Sequence, residues 1–128
     1  MNNLIFRYTQ AQAIADGALT RACSKKAAEA GITVPVLLTR GCEALCRPTS
    51  DEEDFGQSYA GRVWDVLWMT SNAIRRHRGG DRVTVPVFFV TRGRPGIPDD
   101  TRLVKMLAVA GPGDDGGMCV TIGPSSDF

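Results

Sequence analysis

Arg82-Val83-Thr84-Val85-Pro86-Val87-Phe88-Phe89-Val90-Thr91-Arg92 is the stretch on which the fold class turns. It is dense in β-branched and aromatic residues and predicts a strand, with Pro86 marking an edge or a bulge. Downstream, the Gly/Pro-rich connector Gly93–Asp100 leads to a second predicted strand, Arg102–Ala110. The loop Gly111–Gly117 then leads to a third, Met118–Ile122. Three strands in succession, joined by loops without helical pattern, predict an antiparallel meander.

Upstream of Arg82 the hydrophobic period is helical. Between Tyr59 and His77, Ala60, Trp64, Leu67, Trp68, Ser71 and Ile74 recur at three- and four-residue steps, an amphipathic stripe. Gly79-Gly80 ends that helix. Earlier still, Thr9 with Gln12 forms a capping box ahead of Ala13, Ile14 and Ala15, and Gly17 stops the turn. Ser24 is the expected N-cap of a helix over Lys25–Ala30 that ends at Gly31. The segment Ile32–Leu38 starts extended, because Pro35 pushes its predecessor out of the helical region. Thr39 is then expected to cap Arg40–Cys46, which Pro48 stops. Residues 47–60, with the acidic run Asp51-Glu52-Glu53-Asp54, read as a mobile surface loop holding a capped turn at Ser50/Glu53. The expectation is one α+β domain over residues 1–128: N-terminal short helices and one long amphipathic helix packed on a C-terminal three-stranded antiparallel sheet.

Composition narrows the function classes. The chain has 128 residues, fifteen Lys+Arg against fourteen Asp+Glu, 43% hydrophobic and 23% charged residues. That balance excludes a polyanionic DNA mimic, a strongly basic nucleic-acid coat and a disordered chain. No apolar run approaches the ~18 residues of a membrane span. Residues 1–6 lack a basic n-region and a long apolar h-region, so no signal peptide is expected. Four cysteines, Cys23, Cys42, Cys46 and Cys119, then point to a reducing compartment and free thiols. A cytoplasmic protein is the expectation.

Candidate chemistry is sparse. His77 is the only histidine, and any Ser-His-Asp or Cys-His hydrolase would need it as base. It sits between Arg76 and Arg78, which disfavour an imidazolium by like charge, and it reads as a helix-end surface residue. Cys42 and Cys46, four apart, would need Cys23 and His77 to complete a zinc site, and the paired short-spaced ligands of a structural site are missing. Gly111-Pro112-Gly113-Asp114-Asp115-Gly116-Gly117 lacks the Gly-Lys-Ser/Thr of a phosphate loop and reads as a hairpin connection, with a metal at Asp114/Asp115 as the alternative. No cofactor is expected.

Two charged groups are the binding candidates. Arg75, Arg76, Arg78, Arg92 and Arg94, with Arg82 between them, cluster around the long helix's exit and the first strand's ends, a pattern able to grip phosphates. Asp51, Glu52, Glu53 and Asp54 form the opposite, acidic face. Trp64 and Trp68 read as core anchors on the sheet, and either one, if exposed, becomes the best interface anchor in the chain.

Several segments together resemble an uncharacterised family of small proteins encoded by bacteriophages, plasmids and other mobile elements. They are Tyr8-Thr9-Gln10-Ala11-Gln12-Ala13-Ile14-Ala15-Asp16-Gly17, Ala28-Glu29-Ala30-Gly31, Pro35-Val36-Leu37-Leu38-Thr39-Arg40, Gly61-Arg62-Val63-Trp64-Asp65-Val66-Leu67-Trp68-Met69, Gly111-Pro112-Gly113-Asp114 and Val120-Thr121-Ile122. The resemblance implies a habitat and brings no catalytic residues. A second tryptophan of that family is absent here, where Cys42–Cys46 stands. Such a habitat suits a non-enzymatic accessory protein that binds and inhibits a host defence complex, of anti-CRISPR or anti-restriction type, by protein–protein contact. The alternatives are a nucleic-acid-binding regulator using the Arg75–Arg94 patch, a small enzyme built on Asp65, Tyr59 or a cysteine, and a self-assembling protein. Apolar strands and the Asp/Arg balance permit a dimer.

Overall fold

Thr9 opens the described part of the chain, residues 9–128 of a computed structural model. Residues 1–6, the stretch tested for a signal peptide, and Tyr8 of the first resembling segment lie outside the described residues. Thr9 caps α1 (Gln10–Ala15) by the expected box: Gln12 N–H donates to Thr9 Oγ1 at 3.0 Å, and Thr9 N–H donates to Gln12 Oε1 at 2.8 Å. Next come β1 (Leu19–Arg21) and α2 (Ser24–Ala30), whose N-cap is Cys23 and not Ser24. Gly31, at φ 104°, closes α2 in the left-handed region; a Cβ there would press on Ser71 Oγ and the Arg75 guanidinium.

β2 (Val36–Thr39) passes directly into α3 (Arg40–Cys46), capped by Thr39 Oγ1 as expected. The acidic run is helical rather than a loop. It forms α4 (Ser50–Asp54) under a Thr49/Glu52 capping box, one residue earlier than the Ser50/Glu53 pair the sequence suggested. α5 (Tyr59–Arg76), β3 (Arg82–Thr91), β4 (Asp100–Pro112) and β5 (Met118–Pro124) follow within two residues of their predicted bounds, and a 3-10 turn over Ser125–Asp127 ends the chain.

The sheet corrects the predicted architecture. It has five strands in the order β1-β2-β5-β4-β3, and β2 pairs with β5 in parallel. A three-stranded antiparallel sheet describes only β3, β4 and β5. The long helix lies mid-chain, between two strands that precede it and three that follow. β1 and β2 escaped sequence reading because they are three and four residues long. All four β2 positions are buried, so no polar–apolar alternation marks it. Its partner β5 is also more than eighty residues away, and no local turn signals the pairing.

One core fills the space between the sheet and α2, α3 and α5. Leu38, Val66, Leu67, Val85, Val87, Phe89, Met106 and Ile122 are at its centre. On the opposite face, Thr39 crosses over Gly123 so closely that a Cβ on Gly123 would collide with the threonine side chain. Thr39 Oγ1 donates there to Asp127 Oδ2 at 2.7 Å, which ties the C-terminal turn to the sheet. No helix among the described residues is long and apolar enough to cross a membrane.

Candidate functional site

One residue of the predicted acidic face, Glu52, and two of the predicted basic set, Arg92 and Arg94, meet in an internal cluster around Arg62. Glu52 is fully buried, and its carboxylate holds Arg62 Nη1 at 2.9 Å and Arg94 Nε at 2.8 Å. Arg92 N–H donates to Glu52 Oε2 at 2.8 Å. Arg62 is itself buried; it donates to the Leu45 carbonyl at 2.8 Å and, through Nη2, to the Val90 carbonyl. Burial would raise the Glu52 carboxyl, but hydrogen bonds from Arg94, Arg92 and Thr49, together with the Arg62 charge, lower it to about 2. Asp51, Glu53 and Asp54 stay exposed, with the Asp51 carboxylate lying against Gly93.

The basic set divides. Arg75, Arg76 and Arg78 are exposed at the C-terminal end of α5, with Arg82 at the start of β3. Arg92 and Arg94 lie past the other end of β3, ten residues or about 30 Å away. Arg92 covers the Phe55 ring at 4.6 Å, and Arg94 closes the Glu52 cluster. The arginines close together in sequence therefore do not form one phosphate-gripping patch.

What the exposed flank of α5 presents instead is a tryptophan stripe. Trp64, Trp68, Ser71 and Arg75 follow each other at steps of four, three and four, which places them on one side of the helix. Trp64 packs half-buried against the core, as expected of an anchor. Trp68 departs from that expectation: it is 43% exposed and stacks on Trp64 with ring centroids 6.0 Å apart and planes 16° from parallel. The Arg75 guanidinium lies 5.9 Å from the centre of the Trp68 ring, and its Nη2 donates to Ser71 Oγ at 2.9 Å. An aromatic pair held on a rigid helix beside a fixed guanidinium offers a partner apolar area and a charge at little entropic cost.

The other candidates take quieter positions. His77 caps the end of α5 and borders a small apolar cavity of about 140 Å³ with Ile74, Val83 and Ala108. All four cysteines are free; Cys42 and Cys46 are buried together, and the hydrogen bond between them and then burial push the Cys42 thiol far up. Tyr59 donates to Glu43 Oε2 at 2.8 Å, and burial followed by that bond raises its phenol to about 12. Asp65 stays exposed on α5, its carboxyl raised by partial burial. The Gly113–Gly117 segment is the β4–β5 hairpin connection, and the Asp114 carboxylate accepts from Gln10 N–H and Ala11 N–H at 2.9 Å each. Among the described residues no three His, Cys, Asp or Glu side chains converge as metal ligands would.

Sequence reading missed Arg62 and the outward-facing Phe88 and Leu103. For Arg62 nothing local gives a signal. For Phe88 the signal exists: the β3 sequence is apolar at both odd and even positions. Comparisons with family models, with curated proteins and with solved structures find no match to this chain.

Proposed function

We propose that this chain is a non-enzymatic binding module of the bacterial cytoplasm that inhibits a host defence complex by protein–protein contact. The observation that carries the contact is Trp68: a large aromatic side chain, 43% exposed, stacked on Trp64 and pinned beside Arg75. Tryptophan and arginine are the residue types that dominate interface energetics. The partner class, a CRISPR effector or a restriction enzyme, rests on the mobile-element resemblance. The stripe suits an apolar pocket with an acidic rim on that partner.

The test is a pull-down from a lysate with active defence systems, using tagged wild type and Trp68→Ala in parallel, with and without nuclease. The expected result is one defence complex that survives nuclease, is lost or at least tenfold depleted with Trp68→Ala, and cleaves its DNA more slowly when wild-type protein is added. Recovery that depends on nucleic acid and falls with salt would overturn this assignment. It would favour a nucleic-acid regulator gripping phosphates with Arg75, Arg76 and Arg78, the contiguous exposed arginines.

A further inference from the structure

Alternate residues of a strand face the same side, so the inner face of β4 reads Val104, Met106, Ala108 and Ala110. Its side chains shrink toward the end where α5 runs out. The connector after α5 contains Gly79-Gly80, which brings no side chain to fill the space. The result is a hollow between the end of α5 and the sheet, the cavity of about 140 Å³ floored by Val83, Ala108 and Ala110. A second cavity of about 210 Å³ adjoins it, with Ile74 and Val120 as shared wall and Ile32 and Val34 on its far side. Packed interiors leave few voids larger than a water molecule, and an apolar one of about 150 Å³ stays dry and takes a benzene ring. This hollow also opens to the surface, because Ile74 is 40% exposed.

Charge distinguishes the two ends of this cleft. Asp81 stands at the smaller cavity, with Arg82 Nε 3.6 Å from its carboxylate. No acid lines the larger one, and Arg75 borders it. Ser71 Oγ accepts one Arg75 N–H at 2.9 Å and fixes the side chain beside Gly31, where an added Cβ would press on the guanidinium. A guanidinium carries several N–H donors, so most remain to be offered to a ligand. A planar cation held at the rim of an apolar hollow matches a carboxylate on an apolar body.

We infer that this cleft binds a small amphipathic monocarboxylate, with its ring-sized apolar body on Ala108, Ala110 and Val120 and its carboxylate paired with Arg75. The carboxylate lies at the Arg75 end because Asp81 repels it from the other. Arg75 also borders the tryptophan stripe, but this ligand needs no protein partner, and its binding stands or falls apart from the inhibitor reading.

Amide NMR spectra of the full chain, titrated with hydrocinnamate, test this. Saturable shifts are expected at Ile32, Val34, Ile74, Val83, Ala108 and Val120, with saturation at low-millimolar concentration or below, the range open to so small a ligand. Phenylpropanol, which lacks the carboxylate, should bind about fivefold more weakly or worse. Arg75→Gln should bring hydrocinnamate down to the level of the alcohol and leave the alcohol unchanged, a split that a merely structural role would not give. Ala110→Leu fills the hollow and should weaken both at least about tenfold, with its folding checked by thermal melt. Ala108→Val serves the same purpose if the first variant unfolds. No saturable shifts, shifts elsewhere on the surface, or equal binding of acid and alcohol would each overturn the inference. So would an acid preference that survives Arg75→Gln, or undiminished binding by a folded filling variant.

Discussion

Of four consecutive acids, Glu52 alone turns inward, where it bridges Arg62 from α5 and Arg94 from the loop after β3. Its three neighbours stay in water. Removing one member of a buried ion cluster strands the others without solvent, at a cost of about 3–5 kcal/mol. Urea unfolding of Glu52→Ala is expected to show a loss of that size, while Glu53→Ala and Asp54→Ala stay within about 0.5 kcal/mol of wild type. Equal effects at the three positions would mean that Glu52 is no more embedded than its neighbours. Half of this arrangement was legible. Thr49-x-x-Glu52 is a capping box in plain sequence, and reading it in the right register would have separated Glu52 from the exposed acids. That two arginines ten and forty-two positions away complete the cluster is a property of the packing, and no spacing encodes it.

At the level of elements, β3 shows how a strand is left at a sheet edge without inviting another chain. In the antiparallel ladder the N–H and C=O of alternate residues point to the same side. Val90 and Arg92 turn theirs outward, to Arg62, Glu52 and Thr49, so side chains finish what a neighbouring strand would do. Pro86, in the same alternation, presents an edge position with no donor. Pro86→Val restores that donor in a run already rich in β-branched residues, and it is expected to aggregate faster on heating, read by light scattering against wild type. An unchanged rate would mean that the edge is guarded elsewhere. The proline was visible in the sequence and marked β3 as an edge or a bulge; the strand order shows that it is the edge. The long helix and strands β3 to β5 were legible for the same reason: each is long enough to show its period. The short strands β1 and β2 were not, and missing them turned a mixed five-stranded sheet into a three-stranded one.

Across the whole molecule, the Glu52 cluster ties four separated parts of the chain together: α3, α4, α5 and the end of β3 with the loop that follows it. Its protonation therefore reports on the entire fold. The Glu52 carboxyl is lowered in the folded protein from 4.5 to about 2. A lowered folded-state value means that the unfolded chain binds the proton more readily. The contribution is thus complete above pH 4.5 and is lost as pH falls through 4.5 toward 2. For a group so buried, that interval corresponds to about 3 kcal/mol of stability. Other carboxylates titrate in the same range, so wild type alone does not isolate the effect. Glu52→Gln does, because a protonated Glu52 is nearly isosteric with glutamine and equally uncharged. The stability gap between wild type and Glu52→Gln should be widest near neutral pH. It should narrow steadily below pH 4.5 and nearly vanish toward pH 2. Denaturant melts of both chains at matched ionic strength measure that gap directly. A gap that stays constant across the acid range would show that Glu52 keeps its ordinary acidity in the folded chain and that the arginine cluster does not hold the four parts together.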